Sequence, residues 1–91
     1  MRLDLFLKTS RLIPRRTLAQ EFCDAGRISV NGSKAKSSKE IKAGDEIEIR
    51  RRDRVVKLKV LQVPEKKQVS KQQAADLFEI TDDENVGDFG F

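Results

Sequence analysis

An α+β domain is the fold class this sequence predicts: two N-terminal helices packed on a small, mostly antiparallel sheet, followed by a short C-terminal helix and a flexible acidic tail. Three observations predict it. Leu3, Phe6 and Leu7 recur at i, i+3 and i+4, and Leu18, Phe22 and Ala25 at i, i+4 and i+7, each set marking one face of a helix. Asn31-Gly32 sits between two short runs that alternate apolar and polar residues, which is the strongest short-range signal for a hairpin. Glu46-Ile47-Glu48-Ile49-Arg50 and the later Val56, Leu58 and Val60 alternate with charged residues, as half-buried strands do.

The first helix is expected from about Leu3 to Ser10, with Asp4 in its first turn, where the macrodipole favours a carboxylate. Leu5 falls opposite the apolar face, exposed or touching a partner. Lys8 and Arg11, three apart, share a face if that helix continues. Pro14 suits the first turn of the second helix, where its missing N–H costs nothing, and Gly26 supplies the stop after Ala25. Ile28 and Val30 then face inward on the hairpin, Ala43-Gly44-Asp45 makes a second turn, and Arg51–Arg54 turns the chain between the last two strands. Pro64 opens a polar linker to about Val69, and Ser70 caps a helix over Lys71–Phe78 with Ala74, Leu77 and Phe78 as its apolar stripe. The glycines and the Asp82-Asp83-Glu84 run argue for a mobile end from Thr81 onward. The expected division is a body over residues 1–63, a linker and helix over 64–80, and a tail over 81–91. Phe89 and Phe91 read as inert tail residues or as a peptide-like docking element.

Composition narrows the chemistry. With no His and one Cys in 91 residues, neither a disulfide framework nor a zinc cluster forms within the chain. Nothing places a nucleophile beside a base, so the expectation is a protein that is not an enzyme and needs no cofactor or metal. Cys23 beside Phe22 reads as a small packed side chain, and the lone thiol fits a reducing, cytoplasmic setting. No apolar run approaches the roughly 20 residues of a membrane span. Charge is divided unevenly. Residues 1–63 hold sixteen Lys and Arg against eight Asp and Glu, a net +8, while residues 64–91 hold three against seven, a net −4. That polarity belongs to a polyanion binder with an acidic end.

The cations concentrate where the helices meet. Arg2, Lys8, Arg11, Arg15 and Arg16 cluster around the helix pair, and Arg15 and Arg16 stand at a helix start where free N–H groups already favour phosphate. Thr17 adds a hydroxyl of the kind that meets sugar-phosphate backbone. Lys34, Lys36, Lys39 and Lys42 form a second set that either continues the track or faces solvent as a loop. The run Arg50-Arg51-Arg52 with Arg54 reads as a solvated hairpin tip or an auxiliary contact. Tyr and Trp are absent, so recognition is expected to rest on phosphate and shape and not on stacking of unpaired bases.

Arg2-Leu3-Asp4, Phe6-Leu7-Lys8, Arg15-Arg16-Thr17-Leu18-Ala19 and Gly26-Arg27-Ile28-Ser29-Val30-Asn31-Gly32, in that order, resemble the S-four RNA-binding domain, whose core is the alpha-L motif. Lys42-Ala43-Gly44-Asp45-Glu46-Ile47 resembles that family's turn into its next strand, so the likeness covers about residues 1–61. Pro14 and Leu5 depart from it, since the resemblance implies basic residues there. The length and the Ala74-Ala75-Asp76-Leu77-Phe78 segment before an acidic end resemble the family's free-standing, ribosome-associated quality-control branch. The longer heat-shock-protein-fifteen branch is the alternative, with recycling of blocked subunits as its role. The resemblance implies partners: large-subunit rRNA and peptidyl-tRNA on stalled large ribosomal subunits, and an elongation partner that adds alanine tails to the nascent chain. The expected state is a monomer with no membrane association, and the resemblance implies Arg2, Arg11 and Arg16 at rRNA-contacting positions with Asp4 organising the surface. Arg27, Lys34 and Lys36 extend the expected RNA-binding set. A protein-interaction module docking through Leu5 or the terminal Phe residues is the remaining alternative.

Overall fold

The computed structural model describes residues 1–52, 54–64 and 69–85. Helices α1 (Leu3–Thr9) and α2 (Arg16–Asp24) precede strands β1 (Ile28–Val30), β2 (Ser33–Lys34), β3 (Glu46–Arg50) and β4 (Arg54–Val60); helix α3 (Lys71–Ala75) and strand β5 (Phe78–Asn85) follow. The strands form one sheet in the order β2-β1-β3-β4-β5, each neighbour antiparallel. Leu3, Phe6 and Leu7 of α1 are fully buried and meet Ile28, Ile47, Ile49, Leu58 and Val60 from one face of the sheet in a single core. The period-2 and period-3.6 patterns thus converge on one apolar layer.

Turn chemistry sets the register. Asn31 and Gly32 both have positive φ, 52° and 86°, as a two-residue hairpin turn requires. The Asn31 side chain also accepts from the Glu46 N–H at 3.0 Å and donates to Asp45 at 3.2 Å, tying the turn to the start of β3. A Cβ at residue 32 would meet no atom, so Gly32→Ala suffers only from backbone conformation. It is expected to cost about 1–2 kcal/mol, read as a lowered midpoint in thermal unfolding.

Four expectations change. Pro14 lies outside α2, whose N-cap is Arg15 in extended conformation. Ile13 is buried and Arg11 turns left-handed at φ 64°, so the connection uses residues 10–15 to seat Ile13, and Pro tolerates extended backbone as readily as a first helical turn. The same turn ends α1 at Thr9, so Lys8 and Arg11 do not continue along one helix face. Ser70 does cap α3, with its side chain and that of Gln73 forming a capping box, but the helix stops at Ala75 and Phe78 begins β5. Residues 81–85, expected in the tail, instead complete the sheet against β4. Acidic residues are poor strand formers, but β4 offers opposite charges across the ladder: Lys59 pairs Glu79, Lys57 pairs Asp82, and Arg54 bridges Asp83 at 3.3 Å. Phe89 and Phe91 lie outside the described residues. Among the described residues no helix is long and apolar enough to cross a membrane.

Candidate nucleic-acid interface

Asp4 is the hub of the basic face. Its carboxylate is fully buried although it lies in the first turn of a helix. One oxygen accepts from the Leu5 N–H at 2.7 Å and pairs with Arg2 Nε at 3.3 Å. The other accepts from Gln20 Nε2 at 2.9 Å, Arg16 Nε at 3.2 Å and Arg2 Nη2 at 3.4 Å. Burial disfavours the charged carboxylate, yet the hydrogen bonds from Gln20, Arg16 and the Leu5 N–H, with the Arg16 charge, outweigh it, so the pKa lies below the usual carboxylate value. Asp4 is therefore ionised at neutral pH.

What it holds matters more than what it is. Arg2 and Arg16 remain 46% and 41% exposed while their inner nitrogens are pinned. Arg16 binds Asp4 through Nε, leaving both terminal nitrogens without a partner among the described residues. Such a guanidinium, already oriented, presents a two-pronged donor of the geometry that phosphate oxygens accept. Gln20, one turn beyond Arg16, escaped the sequence reading, although i, i+4 spacing puts both on one face of α2.

The chain end is positioned by backbone. The Leu3 and Asp4 N–H groups donate to the carbonyls of Lys39 (2.7 Å) and Ser37 (3.1 Å), and Ile41 N–H donates to Met1 O (2.9 Å). These bonds satisfy donors at the start of α1 and hold Arg2 in place, a role for residues 37–41 that carries no sequence signature. The Met1 ammonium also meets Glu40 at 2.6 Å, a hydrogen bond that lowers the Glu40 pKa. By contrast α2 has no side-chain cap, so the N–H groups of its first turn lie beside Arg15 and Arg16.

Lys8 stands one turn beyond Asp4 on α1, Arg11 and Arg15 lie in the connection, and Thr17 follows Arg16 on α2. All four are exposed, and the side chains of Lys8, Arg11 and Arg15 have no partner among the described residues. The connection is braced by Arg51, whose Nη2 donates to Leu12 O at 2.8 Å, so one arginine of the β3–β4 tip serves as a strut. Other members of the expected set go elsewhere. Arg27 lies over the Phe22 ring, 5.6 Å from its centroid. The Lys34 side chain lies across Gly26, where a Cβ would come within 3.4 Å of Nζ, at the C-terminal end of α2. Lys34, Lys36 and Lys39 line an open groove of about 460 Å³ beside the hairpin. Cys23 is packed as expected, and burial, with Asp4 and Asp24 nearby, pushes its thiol up to about 11.

A compact α+β module presenting oriented guanidinium groups at the junction of its first two helices defines a phosphate-facing domain. The S4 domain family model matches residues 1–47, the stretch that builds that junction, the hairpin and the entry to β3. Along the whole chain, the RQC P-site tRNA stabilizing factor of Bacillus subtilis is 47% identical over 97% of this chain and 100% of its own length. The protein of the same name from Halalkalibacterium halodurans is 48% identical, covering 94% and 96%. In structure, the heat shock protein 15 of Vibrio cholerae superposes with a TM-score of 0.79 at 27% identity, covering 89% of this chain and 81% of that one. A hypothetical protein solved in solution gives a TM-score of 0.79 at 37% identity, covering 92% and 100%. The chain belongs to the S4 domain proteins and, within them, to the family of RQC P-site tRNA stabilizing factors.

Proposed function

We propose that this protein is a non-catalytic, cytoplasmic, monomeric factor that binds large ribosomal subunits obstructed by peptidyl-tRNA, through rRNA and the tRNA, and holds the P-site tRNA while an elongation partner adds alanine to the stalled chain. The observation that carries the reading is the Asp4 hub, which fixes the part-exposed Arg2 and Arg16 side chains and leaves both terminal nitrogens of Arg16 without a partner among the described residues. The names of the relatives support the quality-control setting. RNA contact then follows from phosphate recognition by Arg2, Lys8, Arg11, Arg15 and Arg16, with Thr17 as a backbone contact and Lys34, Lys36 and Arg27 at the margin.

Five phosphate-facing cations set the salt dependence. Co-sedimentation with obstructed large subunits across a salt series is expected to give a log–log slope of roughly −4, at about 0.7–0.9 per neutralised phosphate. A flat response that persists after nuclease treatment would point to docking on protein. Omitting the factor from a reconstituted tailing reaction is expected to shorten the alanine tails. Unchanged tails with intact subunit binding would transfer the protein to subunit recycling, the alternative role that the family resemblance implies.

A further inference from the structure

The solvent face of the sheet carries lysines that the basic face does not use. Lys57 and Lys59 are exposed and lie opposite the core, since Leu58 and Val60 between and beyond them are buried. On one side Lys57 pairs with Glu48 and Lys59 with Glu46; on the other Lys57 pairs with Asp82 and Lys59 with Glu79. Directly opposed residues place their Cβ atoms about 4.5–5.5 Å apart, within reach of ion pairing for such side chains. Each lysine is therefore flanked by carboxylates from both neighbouring strands. Arg50, another cation of this face, lies 3.6 Å from Glu48.

Charge accounting distinguishes the two faces. Around the helix junction Arg2, Lys8, Arg11, Arg15 and Arg16 stand against one buried carboxylate, Asp4. On the outer face of β3, β4 and β5, among the described residues, the carboxylates Glu46, Glu48, Glu79 and Asp82 stand against the cations Arg50, Lys57 and Lys59. A polyanion approaching the sheet would meet the carboxylates placed beside Lys57 and Lys59 in the strand register, whereas at the helix junction the exposed cations have no such neighbours in their own elements' first turns but Asp4, which is buried.

We infer that Glu46, Glu48, Glu79 and Asp82 form an electrostatic guard that confines RNA to the helix side and so fixes the orientation in which the protein docks. These are specificity-determining residues that never touch the RNA. The guard also explains why an acidic strand completes a basic domain: β5 supplies half of its carboxylates. The inference rests on the RNA-binding reading above, but its test separates the two.

The test uses the full chain and a short RNA duplex of arbitrary sequence, with affinity measured by fluorescence anisotropy across a salt series. E79Q/D82N keeps side-chain size and removes two carboxylates. It is expected to bind the duplex about tenfold more tightly at low salt and to steepen the log–log slope by one to two units, at about 0.7–0.9 per newly available cation. K57Q/K59Q in the parent chain is expected to leave affinity unchanged, and in the E79Q/D82N background to abolish the gain. Thermal unfolding checks that β5 stays docked; should it come loose, E46Q/E48Q, which leaves β5 untouched, takes its place with the same expected steepening. An unchanged slope in a folded neutralised variant overturns the guard, as does a loss of binding by K57Q/K59Q in the parent. If neutralisation steepens the slope while Arg16→Ala has no effect in the parent, the carboxylates do screen Lys57 and Lys59, but the helix junction is not the RNA face, and confinement of RNA to the helix side is overturned with the RNA-binding reading.

Discussion

Arg16→Ala is expected to weaken binding to large ribosomal subunits by about 10- to 100-fold, the loss of one strong charge-assisted contact, while the domain stays folded. Two features make this residue the sensitive one. Its Nε is held by Asp4 and its side chain is only 41% exposed, so the terminal nitrogens are presented with little freedom left to lose on binding. Its removal also strands little, because Asp4 keeps hydrogen bonds from Gln20, the Leu5 N–H and Arg2. The stability loss is therefore expected to stay near about 1 kcal/mol, against a larger effect on binding. Co-sedimentation across a salt series gives a second readout, since one phosphate contact fewer flattens the slope by roughly one unit. Arg16→Lys keeps the charge but loses the fork, and its affinity is expected between the two. If Arg16→Ala sediments with subunits as the parent does, the junction of α1 and α2 is not the binding face.

The parts of this face that sequence reveals are those with local causes. Helix periodicity located Leu3, Phe6 and Leu7, and the Asn31-Gly32 pair located the hairpin, because both signals are written within a few residues. That Asp4 organises Arg2 and Arg16 was legible only through the family resemblance; its hydrogen bonds to Arg16 and Gln20 span twelve and sixteen residues. The clamp of residues 37–41 on the start of α1 uses backbone groups alone, so no side chain announces it. Arg51 looked like surface charge because nothing local marks its reach of 39 residues to Leu12 O. Strand β5 is the plainest tertiary override. Phe78-Glu79-Ile80 alternates, but the register shift against Lys57 and Leu58 throws the later residues out of phase, and only pairing with a basic β4 makes a strand of Asp82 and Asp83.

Asp4 gives the more diagnostic substitution, because its stability and binding effects have separable signatures. Asp4→Asn keeps the volume but turns one acceptor into an NH₂ group facing the donors of Arg16 and Gln20. The cations left behind are part-exposed and hydrate, so the cost stays below the about 3–5 kcal/mol of stranding a fully buried charge and is expected near about 2 kcal/mol. Its pH dependence follows from the depressed carboxyl pKa. The ionised form is favoured in the folded state, so the contribution is complete above the unfolded value of about 4 and disappears as pH falls through the lower folded value. The stability gap between parent and Asp4→Asn, from denaturant unfolding at successive pH values, is thus expected to be constant from neutrality to about pH 4 and to close below it. A gap that closed between pH 5 and 7 would contradict a depressed carboxyl. For binding, two effects oppose. Losing the negative charge strengthens attraction to phosphate, but Arg2 and Arg16 must now be ordered from freedom, at about 0.5–1.5 kcal/mol each. Added salt weakens the first effect, most of all toward phosphates farther off than a Debye length of about 8 Å at physiological salt, and leaves the second. Asp4→Asn is therefore expected to bind subunits about tenfold more weakly at physiological salt, to recover at low salt, and to show a steeper slope than the parent, opposite in sign to Arg16→Ala. Equal flattening by both substitutions would mean that Asp4 touches the RNA itself and does not act by holding its two arginines.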